Sequence, residues 1–252
     1  MKFVSIKIFC LATLCVLLQS IGLNAVNWGK IISTASAIVS IKSELGQQCS
    51  TPEDCSPEDG LWNIYQPEPV SFLEGILQKT PPLPKTTQFG YGFFISSDGY
   101  ILTSYLSIKD AQKITVTISE QLQTESVTLV GYDAKSNLAL LKIDGENYTY
   151  LALDTCAGKA GDWALGVGKT ETGKAVPRFG VISYYPRSNA QVISFETLIQ
   201  SDLPQCEMTG DPLLNMEGVV LGVNVFSDTS PTLTIPTYIA KEFVNRLLGP
   251  TL

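Results

Sequence analysis

The sequence predicts an all-β fold: two six-stranded antiparallel β-barrels with short N- and C-terminal helices. Three observations carry this. From Phe89 onward, short runs rich in β-branched and aromatic residues recur between turn signals, as antiparallel strands require. The style appears in two sets, "YGFFIS" to "LALLKI" and "DWALGVG" to "LTIP", which points to two small barrels. "TYIAKEFVNRLL" then switches to helical spacing and ends at Gly249-Pro250, a helix stop.

In chain order, residues 1–25 read as a secretory signal peptide. Lys2 and Lys7 precede the apolar "IFCLATLCVLLQSIGL", and "LNA" ends at the cleavage position Ala25. The alternative is an uncleaved anchor, for which the run is short. No later segment reaches the length of a membrane span, so none is expected after cleavage. The mature domain is expected over 26–252. "NWGKIISTASAIVSI" (27–41) reads as a short helix leading into a strand. Residues 44–88 form a long loop rich in Pro, Ser, Thr and acidic residues, with one short helix at "VSFLEGILQ"; such a loop is functional or disordered.

"YGFFIS", the turn "SDG" and "YILTSYLSI" follow. "KITVTI" alternates as a half-buried strand should, and "SVTLVGYD" and "LALLKI" complete a first barrel over about 36–145. "DWALGVG", "FGVISYY", "FETLIQSD", the hairpin "PLLNMEGVVLGVNV" and "LTIP" give a second barrel over about 150–236, and the helix spans 237–248.

The 252 residues, 44% hydrophobic and 16% charged, suffice for one large or two small domains with a sizeable core. A net charge of −7 without any Lys/Arg block excludes general nucleic-acid binding. Of six cysteines, Cys10 and Cys15 leave with the signal. Cys49, Cys55, Cys156 and Cys206 are disulfide candidates in an exported chain. Cys49 with Cys55 and Cys156 with Cys206 are the natural pairs, with connectivity open. Zinc is a weak alternative, since the spacing is wrong and the chain has no histidine. No cofactor is implied.

Several fragments together resemble the HtrA family of trypsin-like serine proteases. "FGYGFFISSDGYILTSYLSI" resembles the segment ending at the family's catalytic histidine, and "VGYDAKSNLALLKID" the strand pair carrying its aspartate. "AGDWALGVGK" and "RFGVIS" resemble the opening of the second barrel. "IQSD" and "DPLLNMEGVVLGVN" flank the nucleophile loop. The resemblance implies a chymotrypsin-like fold over nearly the whole mature chain. It also implies a member without the C-terminal peptide-binding PDZ domains, since the chain stops after the closing helix.

Carried over residue by residue, the resemblance puts the general base at Leu106, the orienting carboxylate at Asn137 and the nucleophile at Thr209, or at Gly210 if the loop gap lies elsewhere. Leucine exchanges no proton. Asparagine hydrogen-bonds but carries no charge to steady an imidazolium. A hydroxyl nucleophile needs a base within hydrogen-bond reach, and there is no histidine anywhere in the chain. Lys109 and Lys135 are the nearest lysines and read as solvated surface groups. Asp211 and Glu207 flank Thr209 with no sign of acting as bases. Glu207 and Met208 occupy the oxyanion turn, where the resemblance implies a glycine and two converging backbone N–H groups.

The remaining features have plain readings. Gly166 and Gly168 mark a β-turn rather than a phosphate loop. Asn147 opens a glycosylation sequon that matters only in a eukaryotic secretory route. Trp28 is a core or trimer-contact residue, and Tyr184, Tyr185 and Phe195 are packing or groove residues. Together these readings lead to an exported, periplasmic or secreted, pseudoprotease that is not an enzyme. It would bind polypeptide, or an active relative in a homo- or hetero-oligomer, as a chaperone, scaffold or regulator. The alternatives are a residual serine/threonine-type endopeptidase using Thr209 and a secreted effector or inhibitor.

Overall fold

The computed structural model describes residues 34–45, 87–119, 122–124, 126–153, 158–170, 174–186, 194, 197–204, 209–225 and 231–249. The first half forms β1 (Ile38–Leu45), β2 (Thr87–Phe94), β3 (Tyr100–Ser104), β4 (Ala111–Ser119), β5 (Leu122–Thr124), β6 (Val127–Asp133) and β7 (Leu138–Ile143). These strands make one antiparallel sheet in the order β5-β4-β1-β2-β3-β7-β6. The second half forms β8 (Trp163–Lys169), β9 (Ala175–Tyr184), β10 (Ile199–Ser201), β11 (Pro212–Asn215), β12 (Val220–Val225) and β13 (Thr232–Pro236), closed as a barrel in the order β10-β13-β12-β11-β8-β9. Helix α1 (Thr237–Leu248) follows.

The mostly antiparallel β fold in two halves is the one expected, with the second half a closed barrel and the first a half-barrel. The first sheet carries a seventh strand, β5, because β4 turns back on itself and pairs Val116 with Thr124 and Ser119 with Leu122. Among the described residues of the run "FETLIQSD", Ile199–Ser201 form β10. The Thr197 hydroxyl holds a turn at Ser194, donating to its carbonyl at 2.9 Å and accepting its N–H at 2.8 Å. The hairpin between β11 and β12 falls where Asn215 Oδ1 accepts the N–H groups of Glu217 and Val219, both at 2.9 Å, as turn asparagines do. Helix α1 ends where Gly249 turns to φ 84°, its N–H bonding the Asn245 carbonyl at 2.9 Å.

The core is divided by strand geometry. Successive side chains point to opposite faces of a sheet. In β2, β3 and β7 both faces are buried: Phe93, Leu102 and Leu140 join Leu165, Leu214, Val223 and Ile235 between the barrels. Their neighbours Phe94, Ile101 and Leu141 fill the first barrel with Val39, Ile41 and Val116. This explains why "LALLKI" is a continuous apolar run rather than an alternating one. Each such side chain removed from water contributes roughly 2 kcal/mol. Helix α1 lays Phe243 and Val244 on the shared core. It also reaches the first sheet, where Arg246 pairs with Asp133 at 2.8 Å.

Two polar ties join the barrels away from that core. The Ser40 hydroxyl donates to the Thr170 carbonyl at 3.2 Å. Lys169 Nζ donates to the Ile118 carbonyl at 2.6 Å. Burial holds the Lys169 amine down at about 8. Among the described residues, no helix is long and apolar enough to cross a membrane.

Candidate functional site

Leu106 lies in a single 3-10 turn, Tyr105–Ser107, immediately after β3. Asn137 ends the turn that joins β6 to β7. That turn is built by Asp133, whose carboxylate accepts the Lys135 N–H at 3.0 Å and whose carbonyl accepts the Ser136 hydroxyl at 3.5 Å. It delivers Asn137 at φ 51°, a left-handed conformation that asparagine tolerates better than most residues. Asn137 then grips the Leu106 turn twice. Its carbonyl accepts the Tyr105 N–H at 3.1 Å, and its Oδ1 accepts the Leu106 N–H at 2.9 Å and the Ser104 hydroxyl at 3.2 Å. Asn137 is 1% exposed. Its Nδ2 donates to no other group among the described residues.

Thr209 comes from the opposite barrel, three residues before β11, and is buried at 7% exposure. Its carbonyl accepts the Tyr91 N–H of β2 at 2.7 Å and the Ser107 hydroxyl at 3.3 Å. Its Oγ1 lies 3.5 Å from Ser107 Oγ. Ser107 is fixed from behind by Ser43, whose hydroxyl donates to the Ser107 carbonyl at 2.7 Å. Gly210 follows at φ 99°. A Cβ there would collide with the Tyr91 carbonyl oxygen and come within 2.8 Å of Thr103 Oγ1, so only glycine permits this close approach.

Beneath Thr209 the second barrel holds a charge pair. Asp211 is 0% exposed. Its Oδ2 is paired with the Arg178 guanidinium of β9 and accepts Asn224 Nδ2 of β12 at 2.9 Å. Arg178 Nη1 also donates to the Pro204 carbonyl at 2.8 Å. Thr234 of β13 donates to Asn224 Oδ1 at 2.6 Å. Gly166 of β8 leaves the room, since a Cβ there would stand 3.1 Å from both Arg178 Nη2 and Asp211 Oδ2. Burial pushes the Asp211 carboxyl up, and the Arg178 charge and the Asn224 amide offset part of that.

The structure thus brings together Leu106, Asn137 and Thr209, with Ser107 as the bridge. Lys135 is exposed on the Asp133–Asn137 turn, Lys109 is half-buried, and Gly166 and Gly168 are strand residues of β8. Asn147 is exposed after β7. Glu207, Met208, Trp28, Phe195 and the cysteines Cys49, Cys55, Cys156 and Cys206 lie outside the described residues. Among the described residues no group of three or more His, Cys, Asp or Glu side chains is placed to hold a metal. Sequence reasoning missed Ser107, which it passed over beside Leu106, and Arg178, a lone cation in an otherwise apolar strand pattern. It named Asp211 without foreseeing its buried partner.

Residues 90–223 match the family model of the trypsin-like peptidase domain. A Chlamydia pneumoniae protein named a periplasmic serine endoprotease, DegP-like, is 31% identical over 245 residues, covering 91% of this chain and 50% of that protein. A Pseudomonas fluorescens protein of the same name is 37% identical over 168 residues, covering 63% of this chain and 34% of its own length. This chain therefore spans a third to a half of the length of these relatives. The crystal structure of a serine endoprotease from Yersinia pestis superposes with a TM-score of 0.62 at 22% identity, covering 87% of this chain and 65% of that one, a likeness of fold.

These comparisons overturn the expectation that the chain is not an enzyme. That expectation rested on Leu106, Asn137 and Thr209 at the triad positions, on Glu207 and Met208 in the oxyanion turn and on the absence of histidine, whereas the matched family is a peptidase domain and the relatives are named serine endoproteases. The chain belongs to the trypsin-like peptidase domain family, with the fold of its HtrA-type members.

Proposed function

We propose that this chain binds polypeptide where its two barrels meet, around Leu106, Ser107 and Thr209, as an exported protein acting on or with other proteins. The observation that carries this is the docking of the Thr209 segment onto β2 and the Tyr105–Ser107 turn. It joins the two halves at these residues, in a family whose relatives are named endoproteases. Those relatives are also named periplasmic, which agrees with the signal-like N-terminus. Co-assembly with a related protease, as a regulator or scaffold, is one form this role would take.

The test is fluorescence anisotropy of fluorescein-labelled β-casein, an unfolded polypeptide, against the mature protein. Saturable binding that weakens at least tenfold in Leu106→Arg supports the reading. No binding, together with no protein retained in a pull-down from the protein's own compartment, would sink it.

A second reading is hydrolysis with Thr209 as nucleophile, supported by the resemblance, which aligns Thr209 with the family's nucleophile. The 3.5 Å neighbour of that hydroxyl is another hydroxyl, Ser107, so the base must come from elsewhere. Fluorophosphonate labelling and β-casein cleavage that both vanish in Thr209→Ala would establish it. Labelling that persists in Thr209→Ala excludes Thr209 as the nucleophile.

A further inference from the structure

We propose that Arg178 is the positioning residue of the segment that carries Thr209: one guanidinium holds the Pro204 carbonyl on one side and the Asp211 carboxylate on the other. The two acceptors lie at opposite ends of the connection from β10 to β11. A planar guanidinium can serve both at once, and an ammonium cannot hold the same two directions.

Near Pro204 the chain is held by its neighbours, the Asp202 N–H donating to the Val181 carbonyl at 3.1 Å and the Thr232 hydroxyl to the Leu203 carbonyl at 3.0 Å, while the Pro204 carbonyl itself is held by Arg178; the Asp211 end has bonds of its own. Asp211 O accepts the Asn224 N–H at 2.8 Å, the Gly210 N–H donates to Asn224 O at 2.9 Å, and Asn224 Nδ2 donates to Asp211 Oδ2 at 2.9 Å. Pro204 is exposed, and as a proline it has no backbone N–H to offer the sheet. The charge pair itself is buried, with the Arg178 and Asp211 side chains 11% and 1% exposed. Removing one partner of such a pair strands the other charge, so the two act as a unit. Asp211 occupies a place two residues after Thr209, and nothing in the Thr209 hydrogen bonds uses its carboxylate. Its role is to hold the arginine that holds Pro204.

This inference rests on the polypeptide-binding reading only for its functional consequence, and two measurements keep them apart. Hydrogen exchange of the 202–211 segment reads positioning, and β-casein anisotropy reads binding. In Arg178→Lys the charge opposite Asp211 remains while Pro204 is released. Exchange across 202–211 is expected to accelerate at least tenfold with the β6 and β7 amides unchanged, and β-casein affinity to fall at least tenfold. Exchange within twofold of the natural chain, or uniform acceleration throughout the second barrel, would overturn the positioning role. If Arg178→Lys does not fold, the paired change Arg178→Gln with Asp211→Asn removes both charges together and carries the same expectations. If the natural protein binds no β-casein, the polypeptide reading fails and the exchange result alone decides the role of Arg178.

Discussion

Asn137 Oδ1 accepts the backbone N–H of Leu106 at 2.9 Å, so a side chain at the end of the β6–β7 turn holds the main chain of the turn that follows β3. Asn137 also accepts the Ser104 hydroxyl and sits at φ 51°. Asn137→Ala removes both acceptors and places an alanine in a left-handed conformation. It should lower stability by about 2–3 kcal/mol, read as a lower urea midpoint with an unchanged slope. Asn137→Gly, which relieves the backbone, should recover a fraction of that loss.

The same bond suggests what the site accepts. Leu106→His and Asn137→Asp put an imidazole on the turn whose Ser107 hydroxyl lies 3.5 Å from Thr209 Oγ1, and a carboxylate at the residue that already bonds the Leu106 N–H. Positioned acid–base groups contribute roughly 10²–10⁴-fold to such reactions. β-Casein cleavage should therefore rise at least tenfold over the natural chain, and the rise should vanish when Thr209→Ala is added. A double variant that folds and cleaves no faster would show that Thr209 does not act as the nucleophile even with a base and a carboxylate supplied.

Gly210 is the tightest backbone approach in the site. Gly210→Ala forces a Cβ against the Tyr91 carbonyl at φ 99°. A loss of about 2–4 kcal/mol is expected from strain plus the broken Thr209–Tyr91 contact. Thermal unfolding measures it, and a shift of less than about 2 °C, which corresponds to about 0.5–1 kcal/mol at this size, would contradict the geometry.

Lys169 sets a pH dependence. Its folded value of about 8 lies below the ordinary 10.5 because burial disfavours the ammonium. Between those values the unfolded chain binds more protons, so stability rises with pH across about 8 to 10.5 and the full penalty is present below 8. The span corresponds to about 3 kcal/mol at most. Lys169→Met removes this slope, so its stability relative to the natural chain should be highest below pH 8 and decline toward pH 10. Burial raises the Tyr238 hydroxyl, aided by Tyr185, which opposes the rise above pH 10 in both proteins. The difference between them isolates Lys169.

The fold was largely legible because strand and helix signals are local. "KITVTI" alternates, "SDG" turns, and the helix expected at 237–248 is α1 at those residues. What was not legible depends on pairing across the chain. β5 exists only because β4 meets it, and Thr197, ahead of β10, commits its hydroxyl to a turn with Ser194. Within the site, motif order placed Leu106, Asn137 and Thr209 together, yet Ser107 and Arg178 have no spacing signature. One matters because Thr209 arrives from 102 residues away, and the other because Asp211 does so from 33.

The bond from Tyr91 N–H to the Thr209 carbonyl has a consequence for how the molecule comes apart. Strand β2 belongs to one barrel and the Thr209 segment to the other, and the Ser40–Thr170 and Lys169–Ile118 bonds cross the same boundary. Neither half closes its own polar groups or covers its own share of the joint core. The halves should therefore melt as one cooperative unit. Cut between β7 and β8, the two fragments would regain a formed site only by finding each other.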